Sequence, residues 1–520
     1  MKNDVNESIL CGGEDISALV VDLGFSTAKI GHNQEDTPRV FLKSICGEDV
    51  SAEEWNSTSE MNEIENGRNG NMMMKRRSPK EKLRFPLNLY NPSEHVRIKP
   101  LFQKDEVTMR SHLNSDVFEK LLEYAIEGID AKRVFECTDE ITNPMKLGGL
   151  NLKMNEHPIL LSESNIHNDK IRKEMTEILF EKYNIPALYF AKKAKLTSFS
   201  LGRCNALVVD IGYSALDINP VYEGYVLQKN SFQFNIGGNY FDHLIYNLLK
   251  KDNVKVVPYF MNHQRYTNIT TTPDICNNNI HLGTFSQQNK CAYSKIHPSY
   301  AEEAILDVIS YMKETVCKVR VGQDEHVNKK SENGLESVTG SHKNCKDIQY
   351  NTNQLNNSTR NTNPSKWQIG LEKDEEEHFE LPDGIKLKVD SKYKYDIAEH
   401  LFQPLSSDNN FKGLPDAIVN CIISSDVDIR KDLLQAIIIT GGSSLFPGLI
   451  ERLFNSLKEK ECFSQSIKMK ILNMTSSVES LSSSWLGGSI LASLGTFQQL
   501  WVSRSEYDDG GHGLVFDRCF

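Results

Sequence analysis

The stretch ALVVDLGFST (Ala18–Thr27) returns 188 positions later as ALVVDIGYSA (Ala206–Ala215), identical at seven of ten positions. Such a duplication predicts two similar lobes that meet over one ligand. In each copy an apolar run suited to a buried strand leads into Asp-x-Gly, where glycine permits a tight turn and leaves backbone N–H groups facing an anion. Two such turns, opposed across a cleft, would clamp a polyphosphate. Asp22 and Asp210 then stand where carboxylates can organise a hydrated Mg²⁺, an ion that keeps most of its waters and takes one or two protein ligands. Two core strands with ordinary Asp-Gly turns would account for either copy alone, but not for the pair.

At 520 residues the chain is long enough for two or more lobes with sizeable cores. The formal charge of -11 argues against an autonomous nucleic-acid binder, whose phosphate contacts need a basic face, and favours a partner's basic surface. The eleven cysteines form no C-x-x-C pair and no zinc spacing, and are read as reduced thiols of the cytosol or nucleus. No apolar run approaches the roughly eighteen residues of a membrane span, and MKNDVNESIL is not a secretory signal. A soluble, internal protein is expected.

The polar tail 1–15 is expected to be flexible, with order beginning near Ile16. From Glu48 to Lys82 the composition turns to Glu, Asn, Ser and Met and ends in a basic run. Within it Lys75-Arg76-Arg77 is either a nuclear-import signal or solvated loop surface. Helical periodicity marks Val117–Ile126 and Ile171–Tyr183, both assigned to the first lobe. Asn235–Leu249 carries Gly237-Gly238 ahead of an apolar helix. The Asn-rich stretches Asn268–Gln288 and Gly322–His378 bury too little apolar surface to offset chain entropy and are expected to be disordered insertions. FELPDGIKLKVD (Phe379–Asp390) reads as a hairpin about Pro-Asp-Gly. The expected division is 16–205 with 470–520 as the first lobe and 206–469 as the second.

The tail SSWLGGSILASLGTFQQLWVSRSEYDDGG (Ser483–Gly511) resembles the C-terminal segment of actin and actin-related proteins. RKEMTEILFEKYNIPALYFA (Arg172–Ala191), VYEGYVL (Val221–Leu227), ELPDG (Glu380–Gly384), LFQP (Leu401–Pro404), DVDIRKDLL and IIITGGSSLFPGLIERL (within Asp426–Leu453) extend the likeness over most of the chain outside the insertions. The resemblance implies an α/β fold: a duplicated, actin-like two-lobe ATPase fold with a central nucleotide cleft. VVPYFMNHQR (Val256–Arg265), the wording ISSDVDIR and Gly495 within ASLGTFQQLW are most similar to the nuclear fourth subfamily of actin-related proteins. Members of that subfamily pair with monomeric actin in chromatin-remodelling and histone acetyltransferase complexes and dock on a long helix of the remodeller's large subunit. Any contact with histones or the nucleosome is expected to be indirect, with no membrane and no autonomous DNA binding.

Carried over residue by residue, the resemblance implies an ATP and Mg²⁺ site. The first phosphate loop keeps Asp22, Gly24 and Lys29, but Phe25 stands where actin has a small hydroxyl residue and Ser26 where it has glycine. The second keeps Asp210 and Gly212, with Tyr213 and Ser214 replacing an aspartate and a glycine. Lys313 and Glu314 match the pair that touches base and ribose, Gly441 and Gly442 the glycines beneath the nucleoside, and Leu481 replaces a lysine near the purine. The glutamine and histidine that orient actin's attacking water are Lys193 and Asp217 here. A protonated lysine accepts no proton and an aspartate opposes developing negative charge, so no catalytic residue is assigned. Phe199, Leu491, Leu494 and Leu500 match the apolar groove that takes amphipathic helices, although each would also suit a core beneath the C-terminal helices.

Two readings follow: a nuclear scaffold subunit with structural ATP and negligible hydrolysis, or an active ATPase or filament-associated relative of the same fold. The insertions weigh against regular filament packing. A sugar kinase or chaperone with the same duplicated loops lacks the actin-like tail.

Overall fold

The computed structural model describes residues 17–50, 83–104, 111–130, 146–166, 168–261, 296–321, 377–404, 411–460, 468–474 and 476–519. Met1–Val321 with His378–Phe520 forms one compact unit, to which everything below refers; Gly322–Glu377 is a separate unit, and all of it except Glu377 lies outside the described residues. The tail, the basic run Lys75–Arg77 and both Asn-rich stretches predicted as insertions also fall outside them, apart from a few flanking residues.

The sequence duplication is a duplication of topology. In the first sheet the strand Leu19–Leu23 folds back antiparallel on Thr27–His32, while its other edge takes Ile159–Glu163 and then Ala187–Lys192 in parallel. Val40–Lys43 and Val502–Ser503 close the two edges, giving six strands. In the second sheet Ala206–Ile211 folds back antiparallel on Leu216–Tyr222, and its other edge takes Ile437–Thr440 and then Ile471–Asn473 in parallel. Tyr225–Val226 and Phe232–Phe234 both pair with Leu216–Tyr222. The central strand of each hairpin is an apolar run because helices cover both faces, as parallel strands require. Leu19, Val20, Val21, Leu207 and Val209 are fully buried.

Each sheet has its own core: one gathers Phe118, Phe180, Phe190 and Trp485, the other Phe241, Met312, Leu433 and Leu449. The helix predicted at Val117–Ile126 spans Ser115–Leu122 and continues as a wider turn over Glu123–Glu127; that at Ile171–Tyr183 spans Asp169–Glu177 and continues similarly over Ile178–Lys182. The helix after the glycine pair runs Gly238–Lys251, and the Pro-Asp-Gly hairpin pairs His378–Glu380 with Lys386–Lys388. One boundary is corrected. The strand Ile471–Asn473 pairs with Ile437–Thr440 in the second sheet, so the return to the first lobe expected at residue 470 comes after Asn473.

That return is made by the helix Ser477–Ala492, whose φ/ψ break at Ser482 lets a serine run face both sheets. Ser480 O accepts from Gly441 N at 3.2 Å and Thr440 Oγ1 at 3.1 Å on the second sheet, while Trp485 Nε1 donates to Val20 O at 3.0 Å on the first. The helix crosses Lys193–Ser200 so closely that a Cβ on Gly487 would collide with the Leu196 carbonyl. These two helices connect the halves.

Candidate functional site

Both hairpin turns close in the same way: Gly24 N donates to Thr27 O at 2.9 Å and Gly212 N to Ala215 O at 3.0 Å. At Gly24 a Cβ would lie 2.8 Å from Thr27 O, so the turn requires glycine. The pairing register places Asp22 opposite Lys29 in the first hairpin and Asp210 opposite Asp217 in the second. Equivalent positions thus carry a salt bridge in one half and two carboxylates in the other.

Asp22, only 1% exposed, receives four partners. Ser162 Oγ donates to Oδ1 and Lys193 Nζ lies 3.0 Å from the same oxygen; Lys29 Nζ at 3.2 Å and Ser484 Oγ at 2.8 Å donate to Oδ2. Burial alone would raise this carboxyl, but Lys193, Lys29 and the Ser162 hydroxyl together overrule it and hold it far below the usual carboxylate range. Lys193 also donates to Leu23 O at 2.7 Å. Its neighbour Lys192, the last strand residue, turns the other way to Glu163 at 2.9 Å. The strand-to-helix transition between them separates two adjacent lysines that sequence alone leaves indistinguishable.

On the opposite turn burial raises Asp210, with Lys193 and Lys29 lowering it and Asp22 raising it. Asp217 is pushed up to about 7, chiefly by burial and next by Asp210, against a hydrogen bond of 2.8 Å from Gln233. Gly441, at φ +92°, lies where a Cβ would strike Asp210 Oδ1 and stand 2.5 Å from Ile211 O. Leu481 covers Gly442, its Cδ2 3.3 Å from where a Cβ would sit.

The helix Gly238–Lys251 docks its first N–H groups on the second turn: Gly238 N donates to Gly212 O at 2.9 Å and Asn239 N to Tyr213 O at 2.8 Å. Lys313 lies beneath it, buried, 2.8 Å from Asp242 Oδ1 and donating to Gly238 O at 3.2 Å. Glu314 is exposed on the same helix, Pro298–Val316. Phe25 packs against Phe102 with ring centroids 5.3 Å apart. From the strand Phe102–Lys104, Lys104 hydrogen-bonds Asn235 beside the second sheet.

The two turns, Lys29, Asp210, Tyr213, Lys313, Gly441 and Gly442 therefore lie together, whereas Glu314 stands exposed on its helix. Ser162, Ser484 and Asp242 were missed: a serine or aspartate in a strand or helix carries no local signal, and each acquires its role from a residue distant in the chain. The groove residues divide. Leu491 is 6% exposed within the first core, whereas Leu494 and Leu500 are 47% and 43% exposed, with Ile490 beside them at 40%. Phe199 is half-buried and its ring end lies 3.0 Å from a Cβ built on Gly224. Leu491 is thus a core residue and not a groove residue, because helix Ser477–Ala492 turns that side chain inward.

A duplicated strand-turn-strand unit, two like sheets and a helix spanning both also form the pattern of a known family. Residues 13–520 match the family description Actin. The chain belongs to the actin family. It is 27% identical over 522 residues to Actin-related protein 4 of Oryza sativa subsp. indica, which covers 98% of this chain and 99% of that protein. It is also 27% identical to Actin-related protein 4 of Arabidopsis thaliana, with the same coverage, and 26% identical over 535 residues to Actin-related protein 4 of Neurospora crassa, covering 100% of this chain and 98% of that one. The chain is thus similar over nearly its full length to proteins named Actin-related protein 4 in plants and a fungus. Among the described residues no helix is long and apolar enough to cross a membrane, and Cys46, Cys204, Cys317, Cys421 and Cys519 are free thiols.

Proposed function

We propose that this chain is a nuclear, nucleotide-binding scaffold subunit of chromatin-remodelling or histone-modifying complexes, paired with monomeric actin, which binds ATP without hydrolysing it usefully. The observation that carries the non-hydrolytic half is the position of Lys193. Where the family has a water-orienting glutamine, this side chain is tied to Asp22 and Leu23 O, so its nitrogen is a donor with no lone pair to offer a water. Asp217, at the other water-orienting position, is bound to Gln233 and brings a carboxyl group to the region where phosphate oxygens would gather. Losing an orienting and proton-accepting group costs about 3–5 kcal/mol of barrier, roughly 10²–10⁴ in rate.

ATP fits the residues present. The paired turns supply N–H groups, Lys29 and Lys193 supply cations, and Gly441 and Gly442 stand where the family's glycines underlie the nucleoside. Bound nucleotide would then join the lobes as a clasp and not act as a timer. The nuclear and complex-forming half is supported by the full-length likeness to proteins named Actin-related protein 4 and by the exposed apolar set Ile490, Leu494 and Leu500, a surface suited to the amphipathic helix of a remodeller large subunit.

Affinity purification of the tagged chain followed by mass spectrometry is expected to recover actin and a large remodeller subunit. A single-turnover assay with radiolabelled ATP, run beside light scattering, is expected to give negligible phosphate release and no filaments. Phosphate release at actin-like filament rates, abolished by Asp22→Ala, would overturn the scaffold reading in favour of an ATPase.

A further inference from the structure

We propose that this chain holds its nucleotide without a divalent cation, the Lys193 ammonium taking the place beside Asp22 that a hydrated metal ion would otherwise need. The inference rests on the nucleotide-binding reading above and concerns what neutralises the polyphosphate.

The argument begins with the donor set. An ionised carboxylate offers about four lone-pair directions, two on each oxygen. At Asp22 all four have partners: Ser162 and Lys193 on Oδ1, Lys29 and Ser484 on Oδ2. No direction remains for a metal-bound water, so the expectation that Asp22 organises a hydrated Mg²⁺ does not fit this site. A divalent ion brought near Asp22 would also meet two ammonium groups, and like charges at such range repel strongly where water is partly excluded. Asp210 adds only one carboxylate, its Oδ1 close to where a Cβ on Gly441 would sit, and it stands in the field of the same two lysines.

Lys193 has the attributes of a fixed cation. Two of its three donors are committed, to Asp22 Oδ1 at 3.0 Å and Leu23 O at 2.7 Å, which anchors the nitrogen at the base of the first phosphate turn. The side chain retains 22% exposure, leaving one donor and the charge for an anion in the cleft. A lysine in the first turn of a helix opposes the helix dipole, a local cost that Asp22 offsets here. The neutral glutamine of the family supplies no charge at this position.

The test is equilibrium dialysis of radiolabelled ATP against the full-length chain stripped of nucleotide, once in millimolar Mg²⁺ and once in excess EDTA. Wild-type Kd is expected to differ by less than about threefold between the two conditions, whereas Lys193→Gln is expected to bind at least about tenfold more weakly in EDTA than in Mg²⁺. Loss of tenfold or more by the wild type in EDTA would overturn the inference while leaving nucleotide binding intact. Metal independence that survives Lys193→Gln would overturn it too, because the ammonium would not be its source. If the variant fails to fold, the wild-type comparison decides alone. Absence of ATP binding in both conditions would remove the nucleotide-binding reading itself, a result distinct from the others.

Discussion

At the residue scale, the two hairpins present one experiment twice. Opposite the loop aspartate stands Lys29 in one and Asp217 in the other; at Asp22, Lys193 and then Lys29 outweigh burial, whereas burial prevails at Asp217. Asp217 is raised to about 7 from an ordinary carboxyl value of 3.8, so between roughly pH 4 and 7 the folded chain keeps a proton that the unfolded chain has lost. Its contribution to stability is therefore fully present below pH 4 and lost as pH rises through 7. In nucleotide-free protein with EDTA present, Asp217→Asn should raise Tm more at pH 8 than at pH 5. Equal shifts at both pH values would refute the assignment. Asp22 behaves oppositely, because its two lysines keep it ionised throughout the ordinary range. Asp22→Ala leaves two buried or half-buried ammonium groups uncompensated and is expected to cost about 3–5 kcal/mol in urea unfolding.

Among the elements, the crossing of helices Ser477–Ala492 and Lys193–Ser200 is set by a glycine that no polar chemistry requires. A Cβ at Gly487 would lie 2.9 Å from Leu196 Cα and closer still to its carbonyl, which is backbone and cannot swing aside. Gly487→Ala should therefore separate the helices and cost at least about 1–3 kcal/mol by overpacking, read as a lowered urea midpoint. Around the end of that helix the apolar residues divide between interior and exterior. Leu491→Asp buries an unpaired charge in the first core and is expected to abolish folding. Leu494→Asp with Leu500→Asp should leave the melting curve within about 1 kcal/mol of wild type, as for exposed positions, while releasing the proposed remodeller partner in co-purification. A double variant that unfolds would instead show these leucines to be core.

For the molecule as a whole, the nucleotide is expected to act as a clasp. The residues around it come from both sheets and from the helix joining them, so a ligand there couples the two cores. A ligand specific for the native state adds about 2.7 kcal/mol at one hundred times Kd. Saturating ATP should accordingly raise Tm of nucleotide-stripped protein. Identical melts with and without millimolar ATP would remove the claim. Bonds between distant segments already brace the cleft without ligand: Lys104 with Asn235, and Lys43 and Tyr90 with Asp307 on helix Pro298–Val316.

The sequence by itself determined the duplicated strand-turn-strand units, the family and the glycines of the nucleotide cleft, because those depend on local rules: an apolar run makes a buried strand, and a tight turn admits only glycine. Its resemblance to actin also aligned Lys193 and Asp217 with water-orienting residues. Only the tertiary structure decided what those residues do. Ser162 and Ser484 approach Asp22 from 140 and 462 positions away, and nothing local marks a serine that will end against a carboxylate. The same reason separates Leu491 from Leu494, three residues apart on apolar sequence, where the last turn of one packed helix sends the first into the core and the second, past the helix end, stands in solvent. The chain specifies which groups exist and how each segment bends; packing between remote segments sets which atoms meet, and with them the charge of each group.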